Sequence, residues 1–407
     1  SKPTTICKGD VVNLSLTTAN VLTGGSGTDW TLNYTVNGTA KTATGTSNGT
    51  FSFSLGAINV NSDVELVSLV ARGSAGMKCD NYGLSDKFSI IVNDLPVATI
   101  SGQTDTICNG EKGDVYFTVD NVKSTEAWTL NYSVGSTTGL SRSGVGPGSF
   151  TLTTPTLTTG TTFSTYDVTF TSIVNNGTSC FSLLTETTDI VVSPTSVGGT
   201  LNPATMYGCK GDNSGLIKLT GNVGKIIRWE YSTDDRNTWT LTSNNTDSLR
   251  YNNITTTTHY RVWVESGTCA GAYSSSASVV IYPEPMASIS GSDVVCPNEE
   301  ATFLVSVTNV PAGQGWTVTY VENGTTKTLS GNGSGQFTLL SGKYPYTTTP
   351  STITISITSI RNLVTNCINT DINSIATAII TPNPVAIFTA NNACQDSIVM
   401  FDNMSTI

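Results

Sequence analysis

Cysteines recur on a regular grid in this chain of 407 residues, and the repeat constrains the fold more than any other feature. Every second cysteine marks a step of 101, 101, 87 and 98 residues. This first set is Cys7, Cys108, Cys209, Cys296 and Cys394, and the second cysteine of each copy is Cys79, Cys180, Cys269 or Cys367. A fixed period is the signature of a repeat architecture. The chain therefore holds four copies of one unit and the beginning of a fifth.

A tryptophan follows the first cysteine of each complete copy by 20 to 23 residues. These residues are Trp30, Trp128, Trp229 and Trp316. Three of them open the similar strings WTLNY, WTLNY and WTVTY, in which apolar and polar residues alternate as in a half-buried strand. We expect all four tryptophans to lie in the hydrophobic cores.

Prolines mark the boundaries between copies. A β-branched run reaches a proline near the end of each copy, and proline cannot continue a central strand because it lacks the N–H donor. The predicted domains are residues 1–95, 96–194, 195–283 and 284–383, with 384–407 as the start of a fifth. Because short linkers that contain proline restrict hinge motion, we expect an extended rod.

Each copy reads as a series of short β-strands. The second copy contains six or seven alternating segments, separated by Gly-rich and Asn-Gly turns, and no helical stretch. The 70 threonines suit the solvent faces of strands. The prediction is an all-β chain of tandem immunoglobulin-like β-sandwiches. The first copy has no room for the opening strand that precedes Cys108 and Cys296, so it lacks this strand or borrows one from a neighbouring chain.

Paired cysteines without a CxxC motif favour disulfides in an oxidising compartment over a zinc site. The preferred pairing lies within each copy, Cys7–Cys79, Cys108–Cys180, Cys209–Cys269 and Cys296–Cys367, with Cys394 paired beyond the fragment. One objection is that the two cysteines of a copy lie near opposite ends of a regular sandwich. The alternative joins neighbouring copies, Cys7–Cys180, Cys108–Cys269 and Cys209–Cys367.

The sequence of the third copy is similar to a known type of tandem repeat. Its segments IIRWEYSTDDRNTW and HYRVWVESGTCAGAYSS resemble the Ig-like and PKD-like tandem repeats of large Bacteroidota cell-surface proteins, and the other copies fit more loosely. The resemblance implies an exported protein at the surface of a Gram-negative bacterium. Some members of this group are gliding-motility adhesins that use the type IX secretion route. It implies no catalytic residues.

Charge and composition exclude several classes of function. A net charge of −10 disfavours nucleic acid as a partner, and no apolar stretch is long enough to span a membrane. His259 is the single histidine and is predicted to lie at a surface or strand edge. Adjacent residues of a strand point to opposite faces, so neither Asp234-Asp235 nor Glu299-Glu300 forms an acid/base dyad on its own. The first pair is expected in a hairpin turn. We therefore expect no enzyme activity.

Two binding hypotheses remain. Loops that contain Asp94 and Asp212 offer oxygen ligands for calcium, but no calcium-loop motif is present, so we expect no cofactor. Trp239 and Trp263 are additional to the repeat. Trp263 alternates with core residues, whereas Trp239 follows a turn and is a possible exposed binding aromatic.

The expected function is a non-catalytic structural or adhesive segment of a bacterial cell-surface adhesin or filament. Disulfide-braced domains would form a stalk that presents a distal region. Its partners would be other surface proteins or glycans, or further copies through edge strands. The alternative is a spacer or carbohydrate-binding array of a large secreted hydrolase.

Overall fold

A computed structural model describes residues 4–21, 29–72 and 78–405. These residues form β-strands and connecting turns and contain no helix, so no helix among them is long and apolar enough to cross a membrane. The chain divides into two compact units. The first comprises residues 1–195 together with 266–270, and the second comprises 196–265 and 271–407.

The first sandwich has a large sheet and a small sheet. Its strands are β1 (Thr5–Cys7), β2 (Val11–Thr18), β3 (Trp30–Val36), β4 (Thr39–Gly45), β5 (Gly49–Ala57), β6 (Ser62–Arg72), β7 (Lys78–Tyr82) and β8 (Lys87–Asn93). The large sheet has the order β1-β8-β6-β3-β4, with β7 beside β6. The small sheet consists of β2 and β5.

The second sandwich repeats this plan with one strand more in the small sheet. Its strands are β9 (Val97–Gln103), β10 (Thr106–Cys108), β11 (Asp114–Asp120), β12 (Ala127–Val134), β13 (Thr137–Val145), β14 (Gly148–Thr153), β15 (Ser164–Asn175), β16 (Phe181–Leu183) and β17 (Thr187–Ser193). The sheets have the orders β10-β17-β15-β12-β13, with β16 beside β15, and β14-β11-β9.

The third sandwich has the same two sheets. Its strands are β18 (Thr200–Asn202), β19 (Thr205–Cys209), β20 (Ser214–Thr220), β21 (Lys225–Ser232), β22 (Thr240–Leu241), β23 (Ser248–Asn252), β24 (Thr258–Glu265), β25 (Ala272–Tyr273) and β26 (Ala277–Tyr282). The orders are β19-β26-β24-β21-β22, with β25 beside β24, and β18-β20-β23.

The fourth sandwich is followed by a hairpin. Its strands are β27 (Met286–Ser290), β28 (Val294–Val295), β29 (Thr302–Thr308), β30 (Gly315–Glu322), β31 (Thr325–Asn332), β32 (Gly335–Leu340), β33 (Ser351–Asn362), β34 (Ile368–Asn369) and β35 (Ser374–Ile380). The orders are β28-β35-β33-β30-β31, with β34 beside β33, and β27-β29-β32. The final strands β36 (Phe388–Ala390) and β37 (Phe401–Asn403) pair with each other.

Strand direction is the same in every large sheet. Its short edge strand, β1, β10, β19 or β28, runs parallel to the last strand of the same sandwich, and the other pairings are antiparallel. Two sheets that enclose one core per repeat define tandem immunoglobulin-like β-sandwiches. The predicted all-β fold class is therefore confirmed.

A tryptophan lies at the centre of each core. Trp30, Trp128, Trp229 and Trp316 are at most 1% exposed, and each indole N–H donates to a backbone carbonyl 17 or 18 residues further along the chain. Their strands alternate as the sequence predicts. In β12, for example, Trp128, Leu130 and Tyr132 all face inward.

Candidate functional site

The first cysteine of each copy lies at a tight turn with a common design. In the second copy the third residue of the turn, Gly110, has φ +88°, which favours glycine. The backbone N–H of Cys108 donates to the Glu111 carboxylate at 2.9 Å, and the Glu111 N–H donates back to the Cys108 carbonyl at 3.0 Å. Asp10 and Glu299 cap Cys7 and Cys296 in the same way. The recurring Cys-x-x-acid motif therefore encodes a turn that fixes the cysteine backbone.

The second cysteine lies in another recurring turn. After β15, the Asn175 side-chain oxygen accepts from the Gly177 N–H at 3.0 Å, and the Asn175 N–H donates to the Cys180 carbonyl at 2.8 Å. Asn362 forms the corresponding bonds before Cys367. Cys180, Cys269 and Cys367 are at most 6% exposed. The asparagine turn therefore fixes the backbone of Cys180 and Cys367, whereas the Cys269 sulfur lies 3.4 Å from the Ser193 carbonyl of the second sandwich.

Disulfides join the first cysteine of one copy to the second cysteine of the next. They are Cys7–Cys180, Cys108–Cys269 and Cys209–Cys367, with Cα–Cα distances of 5.5, 4.9 and 5.4 Å. The preferred prediction of pairing within each copy, Cys7–Cys79, Cys108–Cys180, Cys209–Cys269 and Cys296–Cys367, is wrong. The alternative between neighbouring copies is the one observed.

The parallel edge strand explains this outcome. In the second sandwich Cys108 ends β10 beside Ser193, the last residue of β17. Cys180 lies beyond the opposite end of β17, because it follows β15, which runs antiparallel to β17. A strand of seven residues separates the two cysteines by roughly 23 Å, which no disulfide can span.

Three cysteines, Cys79, Cys296 and Cys394, carry exposed free thiols. The predicted bonds Cys7–Cys79 and Cys296–Cys367 are therefore both absent, and Cys79 and Cys296 are free thiols. Cys79 pairs opposite Ala71 near the end of β6, whereas Cys7 lies at the other end of the first sandwich. No partner of Cys394 lies among the residues that the structure describes.

The three disulfides overlap along the chain, and this changes its covalent connectivity. Cys108 lies inside the loop that Cys7–Cys180 closes, and Cys209 lies inside the loop of Cys108–Cys269. The shortest covalent path between Cys7 and Cys367 crosses to Cys180, follows the chain to Cys209 and crosses to Cys367. Residues 8–179 and 210–366 are therefore bypassed.

The third sandwich carries a cluster of arginine and aromatic side chains. The Arg261 guanidinium lies 4.0 Å from the ring centre of Trp239 and 3.8 Å from that of Tyr273. It also donates to Glu230, a carboxylate only 1% exposed, at 2.7 Å. Trp239 is half-buried rather than an open platform, because one face of its ring is covered by Arg261.

The remaining additional tryptophan belongs to the same cluster. The Trp263 indole N–H donates to the Glu265 carboxylate at 2.6 Å, and its ring centre lies 4.5 Å from that of Tyr273. Arg228 lies 5.6 Å from the Trp263 ring and donates to Glu230 at 2.8 Å. The charges and rings of this cluster are therefore largely satisfied by one another.

His259 does not lie at the predicted surface or strand edge. It is 8% exposed and lies in β24, between β21 and β26. Its Nδ1 lies 2.8 Å from the Ser278 hydroxyl, and its Nε2 lies 3.4 Å from the exposed Asp235 carboxylate. Ser278 is itself 8% exposed, so its hydroxyl is not an accessible nucleophile. The contacts of His259 instead connect Ser278 of β26 to Asp235 in the hairpin that follows β21.

The acidic pairs also have local partners. Asp234 accepts from the Thr238 hydroxyl and N–H and from the Ser232 hydroxyl, and these bonds lower the pKa of Asp234 to about 2. This is the expected hairpin turn. Glu299 caps Cys296, as described above.

The loops proposed for calcium form other contacts. Asp94 lies 3.4 Å from the Lys8 ammonium, and Asp212 forms a backbone bridge with Cys209. Within residues 4–21, 29–72 and 78–405, no three acidic, histidine or cysteine side chains are placed to hold a metal ion.

Two features were missed by sequence reasoning. The segment from Gly45 to Gly49 has the G-x-S-x-G spacing of a hydrolase nucleophile elbow, but it connects β4 to β5 rather than a strand to a helix. The second feature is a glycine opposite three of the core tryptophans. A Cβ at Gly45, Gly144 or Gly331 would lie 2.2 or 2.3 Å from the facing indole ring. The common spacing of Trp and Gly in these copies was the available signal.

A domain of unknown function (DUF8696) is the family whose model matches this chain, over residues 197–283, which contain the third sandwich. Comparison with curated proteins gives no match. The chain is similar to E. coli alpha-2-macroglobulin in its native conformation, with 9% identity and a TM-score of 0.22, over 96% of this chain and 31% of that one.

Two other solved structures are similar at the same level. For Drosophila OTK extracellular domains 3–5 the identity is 10% and the TM-score 0.19, over 68% of this chain and 94% of that one. For the chicken CNTN1 FN1–FN3 domains the values are 11% and 0.22, over 71% and 99%. These TM-scores are too low to assign the fold, which rests instead on strand order and pairing.

Fold and site together define a class: a tandem array of immunoglobulin-like sandwiches with disulfides between successive repeats. Structural disulfides persist in oxidising environments and are rare in the cytosol. The three disulfides therefore indicate a secreted or extracellular protein.

Proposed function

We propose that this chain is a non-catalytic structural segment of a bacterial cell-surface adhesin or filament, in which it transmits tension and presents a distal region. The observation that carries the proposal is the pairing of cysteines from neighbouring repeats, above all Cys7–Cys180 and Cys209–Cys367. A disulfide within one core would stabilise that core alone. These disulfides instead provide a covalent path that bypasses most of all four sandwiches.

The path has little slack. Between Cys180 and Cys209 it runs through β16, β17, β18 and β19, whose backbones are already extended. Pulling on the chain ends therefore loads residues 1–7, 180–209 and 367–407. At about 3.5 Å per residue the oxidised chain stretches to roughly 260 Å, against roughly 1,400 Å after reduction. Such a segment keeps its length under load even when a core opens.

The biological setting in the proposal follows the resemblance of the third copy to Bacteroidota surface repeats. It includes exposure at the cell surface, the type IX secretion route and a role of the gliding-motility adhesin kind. The proposed partners are other surface proteins or glycans, and no cofactor is assigned. A spacer in a large secreted hydrolase would contain the same covalent path, and glycan binding would favour the carbohydrate-binding alternative.

Single-molecule pulling from the two termini tests the mechanical role. We expect the oxidised chain to stop extending near 260 Å, at about 3.5 Å per residue. Replacing both Cys209 and Cys367 by serine should lengthen this limit by about 500 Å, because the path must then follow a longer stretch of chain. Cys296→Ser, which removes a free thiol, is the matched control and should change nothing. Full extension of the oxidised chain would refute the proposal.

A further inference from the structure

The third sandwich differs from the other three beside its core tryptophan. In each copy the residue two positions after this tryptophan packs in the core and has a partner across the large sheet. Three copies have aliphatic side chains at both positions, in the pairs Leu32–Leu69, Leu130–Ile173 and Val318–Ile360. In the third copy the pair is Tyr231 of β21 and Tyr260 of β24. Two phenol rings therefore replace hydrocarbon side chains at this position.

The tyrosine pair lies in a cleft that is open to solvent. Leu32, Leu130 and Val318 are fully buried, whereas Tyr231 is half-buried. The cleft has a volume of about 320 Å³, which is in the range of about 300–1,000 Å³ typical of small-molecule sites. Its lining includes Tyr231, Tyr260, Thr233, Asn253, Thr255 and Thr256. Aromatic rings and neutral polar groups therefore meet at one opening of the sandwich.

A third tyrosine belongs to the same core cluster and comes from the small sheet. Tyr251 of β23 lies opposite Gly215 of β20, and a Cβ at Gly215 would lie 2.5 Å from the Tyr251 hydroxyl oxygen. Gly215 thus leaves room for the phenol ring. Burial, together with the nearby phenols of Tyr251 and Tyr231, raises the pKa of Tyr260 to about 12. The Tyr260 phenol therefore stays protonated at neutral pH, so its hydroxyl can both donate and accept a hydrogen bond.

One wall of the cleft is fixed by the turn that follows Cys209. The Asn213 side-chain nitrogen donates to the Ile254 carbonyl at 2.6 Å, and the side-chain oxygen accepts from the Ile254 N–H at 3.0 Å. The same nitrogen also donates to the Cys209 carbonyl at 2.6 Å. Ile254 lines the cleft. Because this wall is already ordered, a ligand does not have to supply the free energy of ordering it.

The lining of the cleft favours an uncharged ligand that is rich in hydroxyl groups. Among the residues that the structure describes, no charged side chain lines the cleft, and the net charge of the chain is −10. An ionised ligand would lose hydration there without gaining a partner charge. A tyrosine ring can instead stack on the C–H face of a sugar ring, while threonine hydroxyls and the Asn253 amide exchange hydrogen bonds with the sugar hydroxyls.

We propose that this cleft binds a neutral glycan, with one sugar ring stacked on Tyr231 and its hydroxyls bonded to the Asn253 amide and the Thr255 hydroxyl. The tyrosine pair occurs in the third sandwich only, since the other copies have aliphatic pairs there. A single site among four repeats fits a stalk that binds a glycan better than an array with one site in each repeat. The proposal rests on the glycan partners of the proposed function and is independent of the covalent path.

Saturation-transfer NMR of the oxidised 407-residue chain tests the proposal. The probes are neutral tetrasaccharides of glucose, of mannose and of galactose, with a sialylated tetrasaccharide as the charged comparison. We expect at least one neutral probe to receive saturation from the protein, with a dissociation constant of about 1 mM or below. The C–H protons of one sugar ring should receive the most, because that ring stacks on Tyr231. The sialylated probe should respond more weakly.

Tyr231→Leu gives the third sandwich the side chain that Leu130 supplies in the second, so the fold should be retained while the ring is lost. We expect the affinity for the glycan to fall at least tenfold (about 1.4 kcal/mol). Tyr207→Leu is the matched control, because Tyr207 is 61% exposed on β19 of the same sandwich and does not line the cleft. This variant should bind like the parent chain.

A second variant guards against a loss of folding. Thr255→Trp fills the cleft from an exposed position, so it should weaken binding while hydrogen exchange of the β24 amides stays unchanged. The proposal would be overturned by a chain that binds no neutral probe, by a stronger response to the sialylated probe, or by equal losses in Tyr231→Leu and Tyr207→Leu. None of these results alters the extension limit in the pulling experiment, so the two proposals can fail separately.

Discussion

Cys7 belongs to the first sandwich and Cys180 to the second, yet the two residues are bonded and their Cα atoms lie 5.5 Å apart. The same relationship holds between Cys108 and Cys269, which are 161 residues apart, and between Cys209 and Cys367. Each bond joins a turn at the end of one repeat to a buried sulfur in the next. Successive repeats are therefore covalently coupled at three points.

Thiol counting distinguishes this pairing from pairing within each copy. Alkylation of the denatured, unreduced chain should modify three cysteines, because Cys79, Cys296 and Cys394 are free. After reduction all nine should react. Peptide mapping without reductant should recover a peptide that links Cys7 to Cys180. Modification of one cysteine, together with a Cys7–Cys79 peptide, would contradict the structure.

Gly144 is essential to the second core because it faces Trp128 across β12 and β13. An added Cβ would lie 2.2 Å from the indole ring, and overpacking of this kind costs about 1–3 kcal/mol. We expect Gly144→Ala to lower the free energy of unfolding of the second sandwich by at least that amount. Hydrogen exchange of the β12 amides measures this local stability.

Gly160→Ala is the control for that substitution. A Cβ at Gly160 meets no atom within 4 Å, and its backbone is not in the left-handed region. We expect exchange of the β12 amides to be unchanged. Equal destabilisation by the two variants would show that the Trp128 contact is not the cause.

Much of the fold could be predicted from the sequence because its signals are local. Alternation in WTLNY places Trp128 and Leu130 on one face, and the prolines end strands by removing a hydrogen-bond donor. Because the sequence repeats, the strands predicted for one copy could be assigned to the other copies as well. The spacing from cysteine to tryptophan indicated the buried positions of Trp30 and Trp316 for the same reason.

The disulfide pairing could not be decided in this way, because both connectivities fit the same spacing. It depends on β10, a strand of three residues that runs parallel to β17 and carries Cys108 to its far end. Three residues are too few to show a periodic pattern. Similarly, the burial of His259 and the covering of Trp239 by Arg261 depend on contacts across the sheet that no local pattern encodes.

Arg261 is expected to stabilise the third sandwich through its contact with the buried Glu230. Arg261→Met preserves much of the side-chain volume but removes the donors to this carboxylate and the stacking on Trp239. The expected loss is about 2–3 kcal/mol, measured by exchange of the β24 amides. Arg261→Lys should restore little, since an ammonium cannot donate and stack in the same geometry. Arg250→Met, at an exposed position of β23, should be neutral.

Glu322 gives the fourth sandwich a pH-dependent contribution. Burial alone would raise the pKa of this carboxyl, but donors from Lys327 at 2.6 Å, from the Gly342 N–H at 2.5 Å and from the Tyr344 hydroxyl at 2.9 Å outweigh it. The pKa of Glu322 is therefore lowered from its ordinary value of 4.5. A lowered carboxyl pKa stabilises the fold above the unfolded-state value, and this stabilisation is lost as the pH falls through the folded-state value.

Glu322→Gln should accordingly cost about 2 kcal/mol at pH 7, because the hydrogen bonds to a charged acceptor are lost and Lys327 faces an amide. The difference from the parent chain should shrink as the pH falls below 4.5, the ordinary pKa of a glutamate. Exchange of the β30 amides between pH 3 and pH 7 measures it. Glu300→Gln, on an exposed loop of the same sandwich, adjusts for the change in net charge. A cost that stays constant across this range would show that Glu322 stabilises the fourth sandwich by packing rather than by its charge.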